Sequence, residues 1–296
     1  MLTGGLGNQM FCYALMVRLS RDSKSYLFHP YSKNSYRYGH QGYQLNEIFE
    51  LRKSDKKKHF IVFLYDVIWH FMRFFPHNIR PRLLKIVGVQ EVKVQNFVFK
   101  PELLQLDEKG TKLFEGTWQS EDYFIDVEKQ IREALTFRED MVSLETKELT
   151  DAMVGLESVS LHVRRDDYLT KQYADGFGGI CTTDYYNGAV EYLRTKVDNP
   201  SFYIFSDDLE WCKSNLDIPN AVFVDWNRGA DSWQDMYIMS KCKYNIIANS
   251  TFSWWGAWLN SNPDKIVIAP SVWWNGLKDD VVPNTWIRID NKGVKK

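Results

Sequence analysis

The chain has 296 residues, 44% of them hydrophobic, and a formal net charge of -1. That length and apolar content support one large domain or two medium ones with substantial cores, and two is the organisation expected. A charge so close to zero excludes a general nucleic-acid binder, whose surface would be strongly basic.

The chain opens Met1-Leu2-Thr3 and passes at once into Gly4-Gly5-Leu6-Gly7-Asn8-Gln9-Met10, followed by a helical pattern in Phe11, Ala14, Leu15, Val17, Arg18 and Leu19. No basic and then apolar leader is visible, which gives the expectation of a cytosolic protein. Glycines ahead of a helix let a ligand approach the backbone and expose free N–H groups at the positive helix end. A phosphate or sugar suits such a loop, and a simple tight turn is the equally available alternative. Gly5, Gly7, Asn8 and Gln9 are the candidate binding residues, the two amides favouring hydroxyl recognition. The loop is not the fingerprint of a nicotinamide-dependent oxidoreductase, because Met10 stands where the third glycine belongs.

Between positions 51 and 100, eleven Lys and Arg stand against three acids (Asp55, Asp66 and Glu91), a segment charge of +8. Aromatic residues, among them Phe60, Phe63, Tyr65, Trp69, Phe71, Phe74 and Phe75, interleave with these cations. The stretch 56–82 is punctuated by Asp66, His70 and Arg73 and cannot supply the roughly 20 apolar residues of a membrane span. Two readings stay open: peripheral contact with an anionic membrane, or a helix packed on the core with its basic flanks solvated.

Further on come a turn at Gly116-Thr117-Trp118-Gln119-Ser120 and a helix expected over Phe124 to Leu135. A domain boundary is expected near 150, dividing the chain into 1–150 and 151–296. Beyond it strands are expected at 158–163, 202–205, 221–224, 244–248 and 265–269. Helices are expected over 184–197, after Asp208, over 231–240 and over 254–259. Such alternation predicts a parallel sheet covered on both faces, with ligands bound outside the carboxyl ends of the strands. Three turns fall there: His162 to Tyr168, Ser206-Asp207-Asp208, and Asn249-Ser250-Thr251-Phe252-Ser253.

In the first turn, Arg164 and Arg165 follow an apolar strand directly. Arginine is permanently charged and presents a planar fork of donors, the arrangement expected where a pyrophosphate is held; a solvated, ion-paired turn is the alternative. His162 suits a sugar hydroxyl or a satisfied strand end. In the second turn, Asp207 and Asp208 offer hard oxygens for a divalent cation, or cap the following helix, and capping is the favoured reading. In the third, the hydroxyls of Ser250, Thr251 and Ser253 open a helix and serve as caps, as an anion site, or as both. Tryptophans 254, 255, 258, 273 and 274 read mostly as core. The four cysteines (Cys12, Cys181, Cys212 and Cys242) lack the spacing of a zinc site or disulfide framework and read as small buried residues.

Taken together, Gly-Gly-Leu-Gly-Asn-Gln-Met-Phe at 4–11, His-Val-Arg-Arg-Asp-Asp-Tyr at 162–168, Phe-Ser-Asp-Asp at 205–208 and Asn-Ser-Thr-Phe-Ser-Trp-Trp-Gly-Ala-Trp-Leu at 249–259 resemble the bacterial α-1,2-fucosyltransferases of glycosyltransferase family 11. The resemblance runs from residue 4 to about 275 in the family's order and spacing. It implies a GT-B architecture, α/β, with two Rossmann-like domains facing across a cleft. Residues 1–150 would serve the acceptor and 151–296 would hold GDP-fucose.

It further implies inversion at fucose C1, transfer to the 2-hydroxyl of a terminal β-galactose, and no metal or other cofactor. The family's arginine motif maps onto His162, Arg164, Arg165 and Asp167, with Arg164 at the β-phosphate and Arg165 and Asp167 binding or bracing. Gly5 to Gln9 would lie near the fucose, Ser250 and Thr251 at the phosphates, and Asp235 at guanine. Asp207 and Ser253 complete the donor-binding candidates. No carboxylate stands out as the base.

Two departures stand against the family pattern. Asp166 replaces a glycine, placing a negative charge beside the arginines. The usual entry strand is reduced to Met1-Leu2-Thr3, so about five added apolar residues upstream are expected to raise solubility and melting temperature. A carbohydrate-binding module without chemistry is the rival class, and it has no need of paired arginines; a transferase using another GDP-sugar is the alternative within the enzyme class.

Overall fold

The computed structural model describes residues 4–27, 42–51, 67–68, 71, 74–75, 79–86, 88–94, 96–106, 110–165 and 167–296. Met1 to Thr3, most of 56–82 and Asp166 lie outside the described residues, and with them the expectations about the entry strand and the glycine replacement. Two compact units form, Met1–Arg138 and Glu139–Lys296.

In the first unit helix α1, Leu6–Leu19, carries the expected pattern. It is apolar on most sides, and Met10, Phe11, Tyr13 and Ala14 are fully buried, as expected of a helix enclosed by core. Arg18 near its C-terminus is ion-paired with Asp22 and Asp126, each at 2.6 Å, where the helix end favours positive charge. Short helices α2, Leu45–Ile48, and α3, Arg80–Ile86, precede two parallel strands, β1 (Val89–Val94) and β2 (Thr111–Gly116). The helix expected over 124–135 is a 3-10 turn at Ile125–Val127 followed by α4, Glu128–Ala134. Within 56–82, the described Phe71 and Phe74 are 64% and 86% exposed.

The second unit begins earlier than the expected boundary near 150. Helix α5, Leu144–Ala152, belongs to it, because Ser143 N–H donates to Gln234 at 2.8 Å and the Thr146 hydroxyl donates to Asn227 at 3.3 Å. Strand β3 spans Ser158–Val163, and all six of its residues are buried. Since alternate side chains face opposite ways, both faces of the sheet are covered there. The elements that follow are α6 (Ala174–Phe177), α7 (Thr183–Arg194), β4 (Ser201–Ser206), α8 (Leu209–Asn215), β5 (Val222–Phe223), α9 (Trp233–Lys241), β6 (Tyr244–Ile246), α10 (Thr251–Leu259), β7 (Val267–Pro270) and β8 (Ile287–Ile289).

Among the described residues the six strands run parallel in the order β5-β4-β3-β6-β7-β8. The chain builds outward from β3 on one side through β4 and β5, then returns to the other side of β3 with β6. That reversal is the doubly wound switch point, the place where parallel sheets open a crevice for ligands. Strand β8 went unread because three residues carry too little pattern. The core joins Val159, Leu161 and Val163 to Tyr185, Tyr186, Ala189 and Leu193 of α7. Trp254, Trp255, Trp258 and Trp273 are buried, as expected, while Trp274 is half-buried.

Candidate active site

Arg164 and Arg165 leave the sheet at the end of β3, on the switch point. Arg164 Nε donates to Asp167 Oδ1 at 2.9 Å, and its Nη1 lies 3.1 Å from Asp207 Oδ2. Burial opposes the Arg164 charge, but Asp207 and then Asp167 outweigh it and hold its pKa above the ordinary arginine value. Its side chain is 34% exposed, so the guanidinium is fixed from behind and still reachable.

Arg165 is held differently. Its N–H donates to Asp207 Oδ1 at 2.9 Å, its Nε to Asp208 Oδ2 at 3.1 Å, and its guanidinium carbon lies 4.0 Å from the Trp211 ring centroid. Asp208 also accepts from Trp211 N–H at 3.0 Å, capping α8. The two adjacent acids therefore divide the work. Asp208 is the cap the sequence favoured, whereas Asp207 joins the two arginines. Among the described residues no three His, Cys, Asp or Glu gather as a metal site would.

His162 is 6% exposed, packed 6.0 Å from the Phe252 ring, and its Nδ1 is buried without a hydrogen-bond partner among the described residues. Burial, reinforced by the Arg164 charge, pushes its pKa down to about 3, so the imidazole is neutral at physiological pH. It offers one donor and one acceptor there, and no charge.

The third turn splits too. Ser250 caps α10 by accepting from Phe252 N–H at 3.4 Å, and Thr251 begins the helix half-buried. Ser253 is 1% exposed and donates its hydroxyl proton back to Ser250 O at 3.3 Å. Two residues that the sequence marks only as members of these turns, with no role of their own, tie this turn to the arginines. Tyr168 donates to Asn249 O at 2.9 Å while stacking on Phe177 at 4.5 Å, and buried Asn249 donates to Phe177 O and Trp273 O, each at 3.3 Å. Tyr168 was visible only as the end of a quoted motif.

Asp235, on α9, accepts from Asn227 Nδ2 at 2.9 Å and has Arg228 nearby; burial pushes its pKa up to about 7. Its partners are thus distinct from those of the arginine pair.

In the first unit, Gly5 caps α1 with extended backbone and Gly4 adopts φ +75°, a conformation glycine tolerates. Gln9 is 4% exposed and spends its amide on backbone: Nε2 donates to Gly4 O at 3.2 Å and Gly42 O at 2.7 Å, while Oε1 accepts from Gln44 N–H at 3.1 Å. Read from sequence as a hydroxyl reader, Gln9 is a brace of the loop. Gly7 is buried within the first turn of α1, so its part in any ligand contact is through backbone. Asn8 is half-buried, and its Oδ1 accepts from Gln119 Nε2 at 2.8 Å. The sequence marks Gln119 only as part of the 116–120 turn.

Two α/β units with parallel strands, one a doubly wound sheet with paired arginines at its switch point, make up a fold of the GT-B type. The fold agrees with that of the NodZ α-1,6-fucosyltransferase co-crystallised with GDP, at TM-score 0.52 and 14% identity, covering 99% of this chain and 94% of that one. A second NodZ structure, soaked with GDP-fucose, matches at TM-score 0.50 and 15% identity, covering 88% and 94%.

The chain belongs to glycosyl transferase family 11, whose model matches residues 1–289. An Escherichia coli alpha-1,2-colitosyltransferase is 35% identical over 98% of this chain and 97% of its own length. The Escherichia coli O-antigen biosynthesis glycosyltransferase WbnK is 34% identical over 97% and 99%. The galactoside alpha-(1,2)-fucosyltransferase 1 of Ateles belzebuth is 24% identical over 75% and 63%. No helix among the described residues is long and apolar enough to cross a membrane.

Proposed function

We propose that this protein is an inverting transferase that moves L-fucose from GDP-fucose to the 2-hydroxyl of a terminal β-galactose in an oligosaccharide or surface glycan. The observation that carries the reading is Arg164, reachable at the switch point and preset by Asp207 and Asp167. As the bond from fucose C1 to the β-phosphate oxygen breaks, negative charge collects on GDP and positive charge on the sugar ring. The acceptor oxygen bonds to C1 from the opposite face and its proton passes to a base. A cation already aimed at the leaving phosphate stabilises that separation without reorganising.

Residues 139–296 hold the nucleotide in this reading, with Asp235 at guanine and Ser250, Thr251 and the amino end of α10 at the pyrophosphate. Arg165, Asp207 and Asp208 keep Arg164 and its strand end in place, and neutral His162 offers a hydrogen bond. Gly5, Gly7 and Asn8 serve the transferred sugar, supported by Gln9. No metal takes part. Location in the cytoplasm belongs to the same proposal. So does contact of 56–82 with an anionic membrane, which the exposed Phe71 and Phe74 favour; co-sedimentation with anionic but not neutral vesicles tests it.

The deciding assay offers purified protein GDP-fucose and a β-galactoside, with and without EDTA. Fucosylated product insensitive to EDTA is expected, and its absence over a broad acceptor panel defeats the reading. The colitosyl relative supports a second donor. Colitose lacks only the 3-hydroxyl of fucose, and a site that hydrogen-bonds that hydroxyl rejects the deoxy sugar strongly. GDP-colitose run in parallel decides which donor is used.

A further inference from the structure

We infer that Gln119 is a positioning residue for sugar transfer: it orients the Asn8 amide so that Nδ2, and not Oδ1, is presented to a hydroxyl of the transferred sugar. The inference rests on the proposed function, and specifically on the glycine loop serving that sugar.

The geometry begins with strand β2. Its last residue, Gly116, lies so close to β1 that a Cβ would fall 2.5 Å from Val94 O and 3.2 Å from Trp118. The chain then turns through Trp118, which holds φ +50° although it is no glycine. A bulky residue keeps such backbone only where its surroundings over-determine it. Here the ring is 1% exposed and meets Phe114 and Tyr123 edge-on at 5.7 and 5.5 Å. Ser120 closes the turn, its N–H donating to Trp118 O at 3.0 Å and its hydroxyl accepting from Asp122 N–H at 3.3 Å.

The residue locked between Trp118 and Ser120 is Gln119, 8% exposed, and its Nε2 donates 2.8 Å to Asn8 Oδ1 across 111 residues of sequence. On the other side of Asn8 stands Gly4, where a Cβ would fall 2.5 Å from Asn8 Nδ2. A primary amide has one acceptor end and one donor end. With the acceptor end taken, Asn8 offers two N–H groups, suited to the oxygen of a sugar hydroxyl. The neighbouring Gln9 has both ends on backbone, so the pair Gln119 and Asn8 is the loop's means of offering a side-chain donor.

The test compares Gln119→Ala, Gln119→Glu, Asn8→Ala and the Asn8→Ala/Gln119→Ala double variant with the wild type. Readouts are kcat and KM with the better of GDP-fucose and GDP-colitose, GDP affinity, and the ratio of GDP-sugar to GDP affinity. Gln119→Ala is expected to lower kcat/KM for the donor about tenfold, the scale of one hydrogen bond. Gln119→Glu should lower it further, because a carboxylate accepts and turns the Asn8 N–H groups toward itself. GDP affinity should stay unchanged, and the double variant should be no worse than Asn8→Ala alone.

Gln119→Glu keeps the side chain's size, so it carries the test if Gln119→Ala fails to fold. Additive losses, an equal loss of GDP affinity, or Gln119→Glu behaving as wild type overturns the inference. A wild type that transfers neither sugar defeats the functional reading instead. In that case the GDP-sugar to GDP affinity ratio still decides the role of Gln119.

Discussion

The Arg165 guanidinium lies over the Trp211 indole, 4.0 Å from its centroid, while Asp208 holds both residues at once. Asp208 accepts from Arg165 Nε with one oxygen and from Trp211 N–H with the other. A cation stacked and forked in this way cannot be replaced by a point charge. Arg165→Lys is expected to lower kcat/KM about tenfold, by loosening the strand end that carries Arg164. Trp211→Ala should do the same, and the two together should cost less than the sum. Additive effects in that cycle exclude the stack as the cause.

Arg164 has the opposite character, reachable and aimed. In the proposed reaction, removing it takes away the charge that meets the departing phosphate while leaving Asp167 and Asp207 behind, two carboxylates that repel it. Arg164→Ala is expected to reduce kcat about 10²- to 10³-fold, the range for losing one preorganised donor. Steady-state kinetics with circular dichroism as the folding control checks this; a variant affected only in KM argues against a transition-state role.

Asp235 gives the proposal a pH signature. Its pKa is raised from 3.8 to about 7, so the folded protein keeps a proton that the unfolded chain releases, and this group favours folding less as pH climbs from about 4 to 7. In the proposed site guanine presents N–H donors to Asp235, which accepts them best as the ionised carboxylate. Donor affinity should therefore rise with pH through about 7, and binding at pH 6 should release close to one proton. GDP-fucose is the right probe, since its substituted pyrophosphate does not titrate there. Calorimetry in two buffers of different ionisation enthalpy measures the release, and Asp235→Asn should abolish it. A release that survives in Asp235→Asn assigns it to another group.

Gly188 lies inside helix α7, where alanine ordinarily gains about 1 kcal/mol over glycine. Here a Cβ would fall 2.4 Å from Gly293 O and 2.5 Å from Gly293 Cα, backbone that cannot yield as a side chain does. Gly293 itself has φ +78°, and a Cβ there would fall 2.6 Å from Asp184 O, so the tail packs closely on the helix. Gly188→Ala is expected to destabilise the protein by about 1 to 3 kcal/mol, the cost of overpacking. Urea unfolding measures it, and a stabilised variant shows that the tail can move aside.

Much of the second unit was legible in the sequence because its signals are local. Strands β3, β4 and β6 are apolar runs bounded by turns, and α7 and α9 carry helical periodicity, so their existence follows from residues a few positions apart. The boundary was less legible: nothing within α5 shows that Thr146 bonds to Asn227, and that contact puts the helix in the second unit.

By itself, the sequence determined which turns are candidates for chemistry: the glycine loop, the arginine pair, the acidic pair and the Ser-Thr turn each announce a residue type suited to anions or hydroxyls. Only the tertiary structure decided what each residue does there. Asp207 could not be separated from Asp208 until parallel pairing of β3 with β4 set one against Arg165 N–H and the other at the start of α8, 42 and 43 residues from Arg165. Gln9 and Asn8 are adjacent amides with the same local signal; folding buries one among backbone groups and sets the other against Gln119. The reason is physical: propensity and capping act over a few residues, whereas the partners that fix an amide's or guanidinium's direction are brought together by strand order and packing.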